Sequence, residues 1–249
     1  MDALVLCDVA DGLCTLTLNR PDKLNALNLA MFELLDRHVA MIAASPETIG
    51  CVLLRGAGHA FCAGHDLDAV AAGMEEAAAK RVENGVIERL AELPMPVVAA
   101  VHGHCLAGGL ELALAADLIV ASESACFSDT HSRWDLVPVW GLTQRLPRRI
   151  GRAKALELMF SARRYSGPAA ETMGLANLCV PDAELDATVE QLIADILANA
   201  WRANRAVKQM MLATDGLTLR AGIAYELHHT AGRGPEMAER IARMRKPGR

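Results

Sequence analysis

Residues 93–117 read LPMPVVAAVHGHCLAGGLELALAAD, and this stretch decides the fold. Pro96 to Val101 is an apolar run with the β-branched content of a buried strand. A Gly-rich turn follows, and a helix from about Ala107 carries Glu111 in its first turns among small and apolar side chains. A lone carboxylate in such surroundings is costly unless it is hydrogen-bonded or functional. The start of a helix also presents backbone N–H groups that suit a developing negative charge. An oxyanion pocket beside a positioned carboxylate is the equipment for acyl-thioester chemistry.

The same strand-then-helix alternation extends outward in both directions. Ala3 to Val9 and Leu13 to Leu18 are β-prone runs separated by Asp11-Gly12, a hairpin signal. Asn28 can cap a helix through about Ala43, with Met31, Leu34, Leu35 and Val39 on one face. Cys51 to Leu54 predicts a buried strand, Gly56 to Gly64 a loop, and much of Leu67 to Leu93 an Ala-rich helix. Another strand is expected near Leu118 to Ala121. This order predicts an α/β fold of crossover units. After about Ile150 the texture becomes helical, at 151–161, 168–173, 183–200, 203–213, 217–230 and 235–244. Only Ala176 to Val180 reads as a strand there. An α/β core over 1–190 and a helical region over 191–249 are therefore expected, the second packing on the core or on a neighbouring subunit.

Composition narrows the function classes. The chain has 249 residues, is 52% hydrophobic and carries a net charge of −5, which argues against a nucleic-acid surface. Arg145, Arg148, Arg149 and Arg152 cluster, and solvated helix faces are the simpler reading for most of them. Seven scattered cysteines without a CxxC fit a reduced cytoplasmic protein and neither a disulfide framework nor a zinc site. The N-terminus lacks the pattern of a signal peptide, and the longest apolar run is interrupted, so no membrane span is expected.

Three further segments bear on chemistry. In His59 to Leu67, Gly64 permits a tight turn that brings the following N–H groups close to a ligand, and Asp66 can cap the next helix. Together with the turn before Glu111, it could form a two-donor oxyanion hole. Ser128, Asp129 and His131 stand close together, but triad partners meet in space rather than along a few residues, and no GxSxG elbow is present. His102 and His104 lack the HExxH or Cys/His support of a metal site. No GxGxxG or GxxxxGK[ST] loop is present either.

An ordered series of segments resembles the crotonase (enoyl-CoA hydratase/isomerase) family. It comprises LNRPDKLNALN at Leu18 to Asn28, GAGHAFCAGHDL at Gly56 to Leu67 and PMPVVAAVHGHCLAGGLELALAADLIVAS at Pro94 to Ser122. The stretch from Val137 to Pro181 and a helical tail ending RKP complete it. The resemblance implies a spiral of ββα units with a helical C-terminal trimerisation region, forming homotrimers or hexamers. It implies an acyl-CoA thioester substrate and no separate cofactor or metal, since coenzyme A belongs to the substrate. Backbone N–H groups of His65 and Gly108 would hold the enolate oxygen. Lys23, Ala26, Ala63, Asp66 and Leu67 would lie along coenzyme A.

Family hydratases use two glutamates to hold and split a water. Glu111 falls on the first; counting back from Thr143 to Leu146 without gaps puts His131 at the second. Asp135 stands for a usual glycine, and Val139-Trp140 for a small Gly-rich turn. A Glu111/His131 pair can add water to a 2-enoyl-CoA or move a proton between Cα and Cγ. The resemblance therefore implies a hydratase-like enzyme. Its alternatives are a Δ3,Δ2-enoyl-CoA isomerase, an acyl-CoA lyase or decarboxylase, or a non-catalytic acyl-CoA binder.

Overall fold

The computed structural model describes residues 3–66 and 77–245. A six-stranded sheet forms the centre, in the order β1 (Val5–Ala10), β2 (Leu13–Leu18), β3 (Cys51–Gly56), β4 (Val97–Val101), β6 (Leu118–Ser122) and β9 (Leu178–Val180). The β1–β2 hairpin is antiparallel and every other pairing is parallel. A second sheet of three short strands, β5 (His104–Leu106), β7 (Cys126–Ser128) and β8 (Tyr165–Ser166), lies beside it. Strands β4 and β6 each hand the chain on to a short strand of the second sheet, β5 and β7. A helix then follows, which gives the expected ββα winding.

The central strands β4 and β6 are apolar without a polar alternation because both faces of the sheet are covered there. All five residues of β4 are buried. Val97, Ala99 and Val101 face one layer with Val52, Leu54, Ile119 and Ala121. That layer is filled by α1 (Leu29–Ala43) and α2 (Ala77–Ala91) through Met31, Phe32, Leu35, Val39, Val86, Ile87 and Leu90. Val98 and Ala100 face the opposite layer, where Leu185, Val189 and Ile193 of α7 (Leu185–Ala198) cover them. Helix α1 starts as the sequence predicts, with the Asn28 side chain accepting from Met31 N at 3.0 Å. Its Leu34, expected on the apolar face, is only partly buried against the core.

The remaining helices are α3 (Gly108–Ala113), α4 (Leu142–Ile150), α5 (Arg152–Ser161), α6 (Gly167–Thr172), α8 (Trp201–Thr214), α9 (Leu219–His229) and α10 (Met237–Arg245). One expectation needs correction. Ala176–Val180 is not the only strand after Ile150, because the two-residue β8 pairs antiparallel with β7. A two-residue strand carries no periodicity, so nothing in the sequence marks it. The first part of the helix expected over 67–93 lies outside the described residues. So do Leu67 and the closing residues of the RKP tail. Among the described residues no helix is long and apolar enough to cross a membrane.

The C-terminal helices are fastened to the core by a half-buried ion pair. Lys208 of α8 sits 2.7 Å from Asp117 Oδ2 and donates to Met95 O at 3.2 Å. The same Asp117 oxygen accepts from Val97 N at 2.7 Å, so one carboxylate ties α8 to the start of β4. Burial lowers the Lys208 pKa, and Asp117 opposes that shift. Removing the ammonium leaves Asp117 half-satisfied. Because the Asp117 side chain is one-third exposed, the cost falls below the roughly 3–5 kcal/mol of a fully buried pair. Lys208→Met is expected to lose about 2 kcal/mol in urea unfolding, with the cooperative transition retained.

Candidate active site

Two backbone segments from distant parts of the sequence meet at close range. Cys62 N donates to His104 O at 2.8 Å and Leu106 N to Cys62 O at 3.0 Å, a single parallel bridge. On its other side the same loop pairs with Leu27, which donates to Gly64 O and accepts from Asp66 N, both at 2.8 Å. In such a parallel bridge the residue between the two bonded groups directs its own N–H away from the partner. His65 therefore points its amide away from Leu27. Gly64 makes the turn at φ +104°, where a Cβ would lie 2.9 Å from Leu106 O and 3.3 Å from Gly108 N. A Cβ on Gly109 would lie 2.2 Å from Cys62 O. Only glycines allow this approach.

Gly108 opens α3, and the first N–H groups of a helix have no intrahelical acceptor. The preceding Ala107 is held at φ +45°, ψ −114°, a strained conformation for a residue with a Cβ. Its N–H donates to Ser128 O at 2.9 Å, which anchors the turn to β7. The two segments expected to supply an oxyanion hole are thus brought together.

Glu111 sits one turn into α3 and is 1% exposed. Its Oε1 accepts from Trp140 N at 2.8 Å and Leu142 N at 3.1 Å. Its Oε2 is buried with no hydrogen-bond partner. His131 Nε2 lies 3.7 Å from that Oε2, too far for a direct bond and close enough for one water to bridge. Burial pushes the Glu111 carboxyl above the ordinary carboxylate range. The Leu142 N–H, the charge of His131 and the Trp140 N–H pull it part of the way back, while Asp129 pushes it up.

His131 is held from behind by Asp129. The His131 Nδ1 to Asp129 Oδ1 distance is 2.5 Å, and the same oxygen accepts from His131 N at 3.0 Å. Asp129 is 1% exposed, so this carboxylate has few other partners to turn to. The result is an ordered row, Asp129–His131–Glu111, with Nε2 facing Glu111. Ser128 stands apart from it, buried and donating to Ala162 O at 3.1 Å, so no serine nucleophile joins the row. The sequence offers Asp129 only as a member of a hydrolytic triad; its actual role comes from the Asp-Thr-His spacing, which lets its side chain clasp the ring two residues on.

The row faces a cavity of about 290 Å³. Ala63, His65, Ala107, Glu111, His131 and Trp140 are among its walls. Trp140 is buried at 3% exposure and packs edge-on against His65 at 5.3 Å and Phe32 at 4.9 Å between ring centroids. Arg145 fixes its carbonyl at 2.7 Å and pairs with Glu88 at 2.9 Å. Arg148 and Arg149 likewise engage Asp215 and Asn177. Asp135 adopts φ +54°, a region that glycine enters freely and that Asp tolerates better than most side chains.

Of the residues expected along coenzyme A, Ala63 lines the cavity. Ala63 N donates to Leu24 O at 2.9 Å, which draws the segment holding Lys23 and Ala26 alongside. The Asp66 carboxylate is engaged by Arg20 at 2.6 Å, and Arg20 also donates to Ala26 O at 3.2 Å. Asn25 was missed: fully buried, it donates to Ala57 O and Ala60 O and accepts from Arg20 N, locking both loops. His102 bonds Gly58 O through Nε2 at 3.0 Å, a structural use.

This geometry has close counterparts among known proteins. The enoyl-CoA hydratase/isomerase family profile matches residues 8–232. The chain is 34% identical to the 1,2-epoxyphenylacetyl-CoA isomerase of Escherichia coli, over 97% of this chain and 95% of that one. The crystal structure of an enoyl-CoA hydratase from Bacillus anthracis superposes with a TM-score of 0.91 at 33% identity, covering 97% of this chain and 95% of that one. A Thermobifida fusca structure solved in complex with acetoacetyl-CoA gives 0.83 at 28% identity, covering 97% of this chain and 96% of that one. The chain belongs to the enoyl-CoA hydratase/isomerase family.

Proposed function

We propose that the protein is a hydratase-like acyl-CoA enzyme that adds water reversibly to a 2-enoyl-CoA. The observation that carries this reading is the 3.7 Å gap between Glu111 Oε2 and His131 Nε2 beside the paired backbone turns. The thioester oxygen is taken by the N–H groups of His65 and Gly108, whose dipoles are in place before the charge forms. The acyl carbon chain then enters the cavity, with coenzyme A running past Ala63 and the 23–26 segment. Lys23, Ala26 and Asp66 are assigned to that path on their position beside Ala63.

Glu111 takes a proton from the water as its oxygen bonds to Cβ, and the electron pair of the double bond moves onto the thioester as an enolate. The enolate collapses as His131 Nε2–H gives its proton to Cα. Glu111 has then gained one proton and His131 has lost one; transfer across the short gap between them restores both. Asp129 is a positioning residue, holding Nδ1 and directing Nε2. The raised pKa of Glu111 makes it a stronger base than an exposed carboxylate, which suits this step. The exposed apolar residues Val207, Met211, Leu219, Leu227 and Met244 on α8 to α10 support the further proposal of a trimer or a pair of trimers.

Four outcomes follow from this reading. Glu111→Gln and His131→Ala each lower kcat with a short 2-enoyl-CoA by about 10²–10⁴-fold. Glu111→Gln is at least as heat-stable as the wild type, since it removes a desolvated charge. Asp129→Asn lowers kcat while leaving KM nearly unchanged. A mass-resolved assay decides the reaction: the product gains one water. Unchanged mass identifies an isomerase, and hydration by His131→Glu but not by the wild type overturns the assigned pair.

The pH profile has a defined sign. The base must be deprotonated, so kcat/KM is present above the Glu111 pKa and lost as pH falls through it. Because burial raises that pKa, the acid limb lies above the value of about 4.3 expected for an ordinary glutamate. Light scattering gives three or six times the chain mass, and a monomer excludes the assembly.

A further inference from the structure

Glu83 breaks the pattern of its helix. On α2 it shares a face with Val86, Ile87 and Leu90, at the i, i+3, i+4, i+7 spacing of a buried stripe, and all four are buried. Where a leucine would pack, a carboxylate stands at 4% exposure. Its Oε1 lies 3.4 Å from His65 Nε2, longer than a good N–H···O bond. A buried carboxylate with one long contact is expensive for mere packing. Glu83 and His65 also line the cavity that holds Glu111 and His131. The hydration scheme uses the His65 backbone and no part of Glu83.

The cavity wall then has a distinct polarity. Its ionisable groups are Glu83, Glu111, Asp135, His65 and His131; among the described residues lining it there is no lysine or arginine. An ionised carboxylate offers about four acceptor sites and no donor. An acyl group carrying its own carboxylate would be repelled here, and a plain alkyl group would leave Glu83 desolvated and poorly matched. A hydroxyl on the acyl chain supplies the donor. The volume of about 290 Å³ suits a short chain.

We infer that the cavity selects short acyl-CoA esters bearing a hydroxyl group, with Glu83 accepting the hydroxyl hydrogen and His65 holding Glu83 in place. This rests on the acyl-CoA reading above and adds the substrate class to it. The test uses saturated esters, which bind without reacting. Titration calorimetry compares 4-hydroxybutanoyl-, 5-hydroxypentanoyl- and 6-hydroxyhexanoyl-CoA with their unsubstituted counterparts and with glutaryl-CoA. At one or more lengths the hydroxylated ester binds about tenfold more tightly than its counterpart, and glutaryl-CoA binds weakest. Glu83→Leu abolishes the preference while still binding the alkyl ester. Glu83→Gln, which keeps the shape, weakens the preference and admits glutaryl-CoA. Equal affinities at every length, or a preference unchanged in both variants, overturn the inference and leave the acyl-CoA reading standing. Failure of every ester to bind overturns both.

Discussion

The close approach of residues 62–66 to residues 104–109 is the constraint on which the rest depends. Two backbones can come this near only where neither carries a side chain between them, and Gly64 and Gly109 meet that condition. The contact is held from three directions, by the backbone β-bridge between residues 62 and 105, by Leu27 and by Ser128. It brings His65 and Ala107 to one cavity and turns α3 so that Glu111 enters the same space. The strain at Ala107, of the order of 1–3 kcal/mol by general experience, is tolerated because its amide and both neighbouring segments are tied down.

Around that contact the protein concentrates charge where water is scarce. Glu111, Asp129 and Glu83 are each almost fully buried, and each is matched to an imidazole. The three carboxylates are not equivalent. Asp129 binds its histidine tightly and is committed to holding it. Glu111 has one oxygen fixed by two amides and the other without a hydrogen-bond partner, which leaves that oxygen facing His131 Nε2. Glu83 is only loosely engaged by His65. Tight, half-fixed and loose are three degrees of satisfaction, and they correspond to positioning, chemistry and recognition in the functional reading.

Much of this was legible before folding was considered. The uninterrupted apolar run of β4 implied a strand covered on both faces, the Asn28 cap marked α1, and the Gly-rich turn ahead of Glu111 pointed to the candidate site. The small sheet was less legible, because strands of two or three residues have no period to read. Asn25, and the role of Asp129 in holding His131, were missed for a different reason. Each is a polar residue in a loop, of the kind usually solvated, and each is important only because packing removes its water. Glu83 was hidden inside an Ala-rich helix, where a charged residue usually faces water.

By itself, the order of residues determined the element types, the layered α/β arrangement and the identity of the two turns. Those properties follow from local periodicity, caps and glycine stereochemistry, and they need no knowledge of distant contacts. Only the tertiary structure decided which carboxylates share a cavity, which nitrogen of His131 faces Glu111 and how far apart they stand. Those are relations in space between residues 18 to 29 positions or more apart along the chain, or between rotamers of near neighbours. Pairings of that kind are set by how the layers pack, because burial and the loss of water give a side chain its charge state, its partners and its reach.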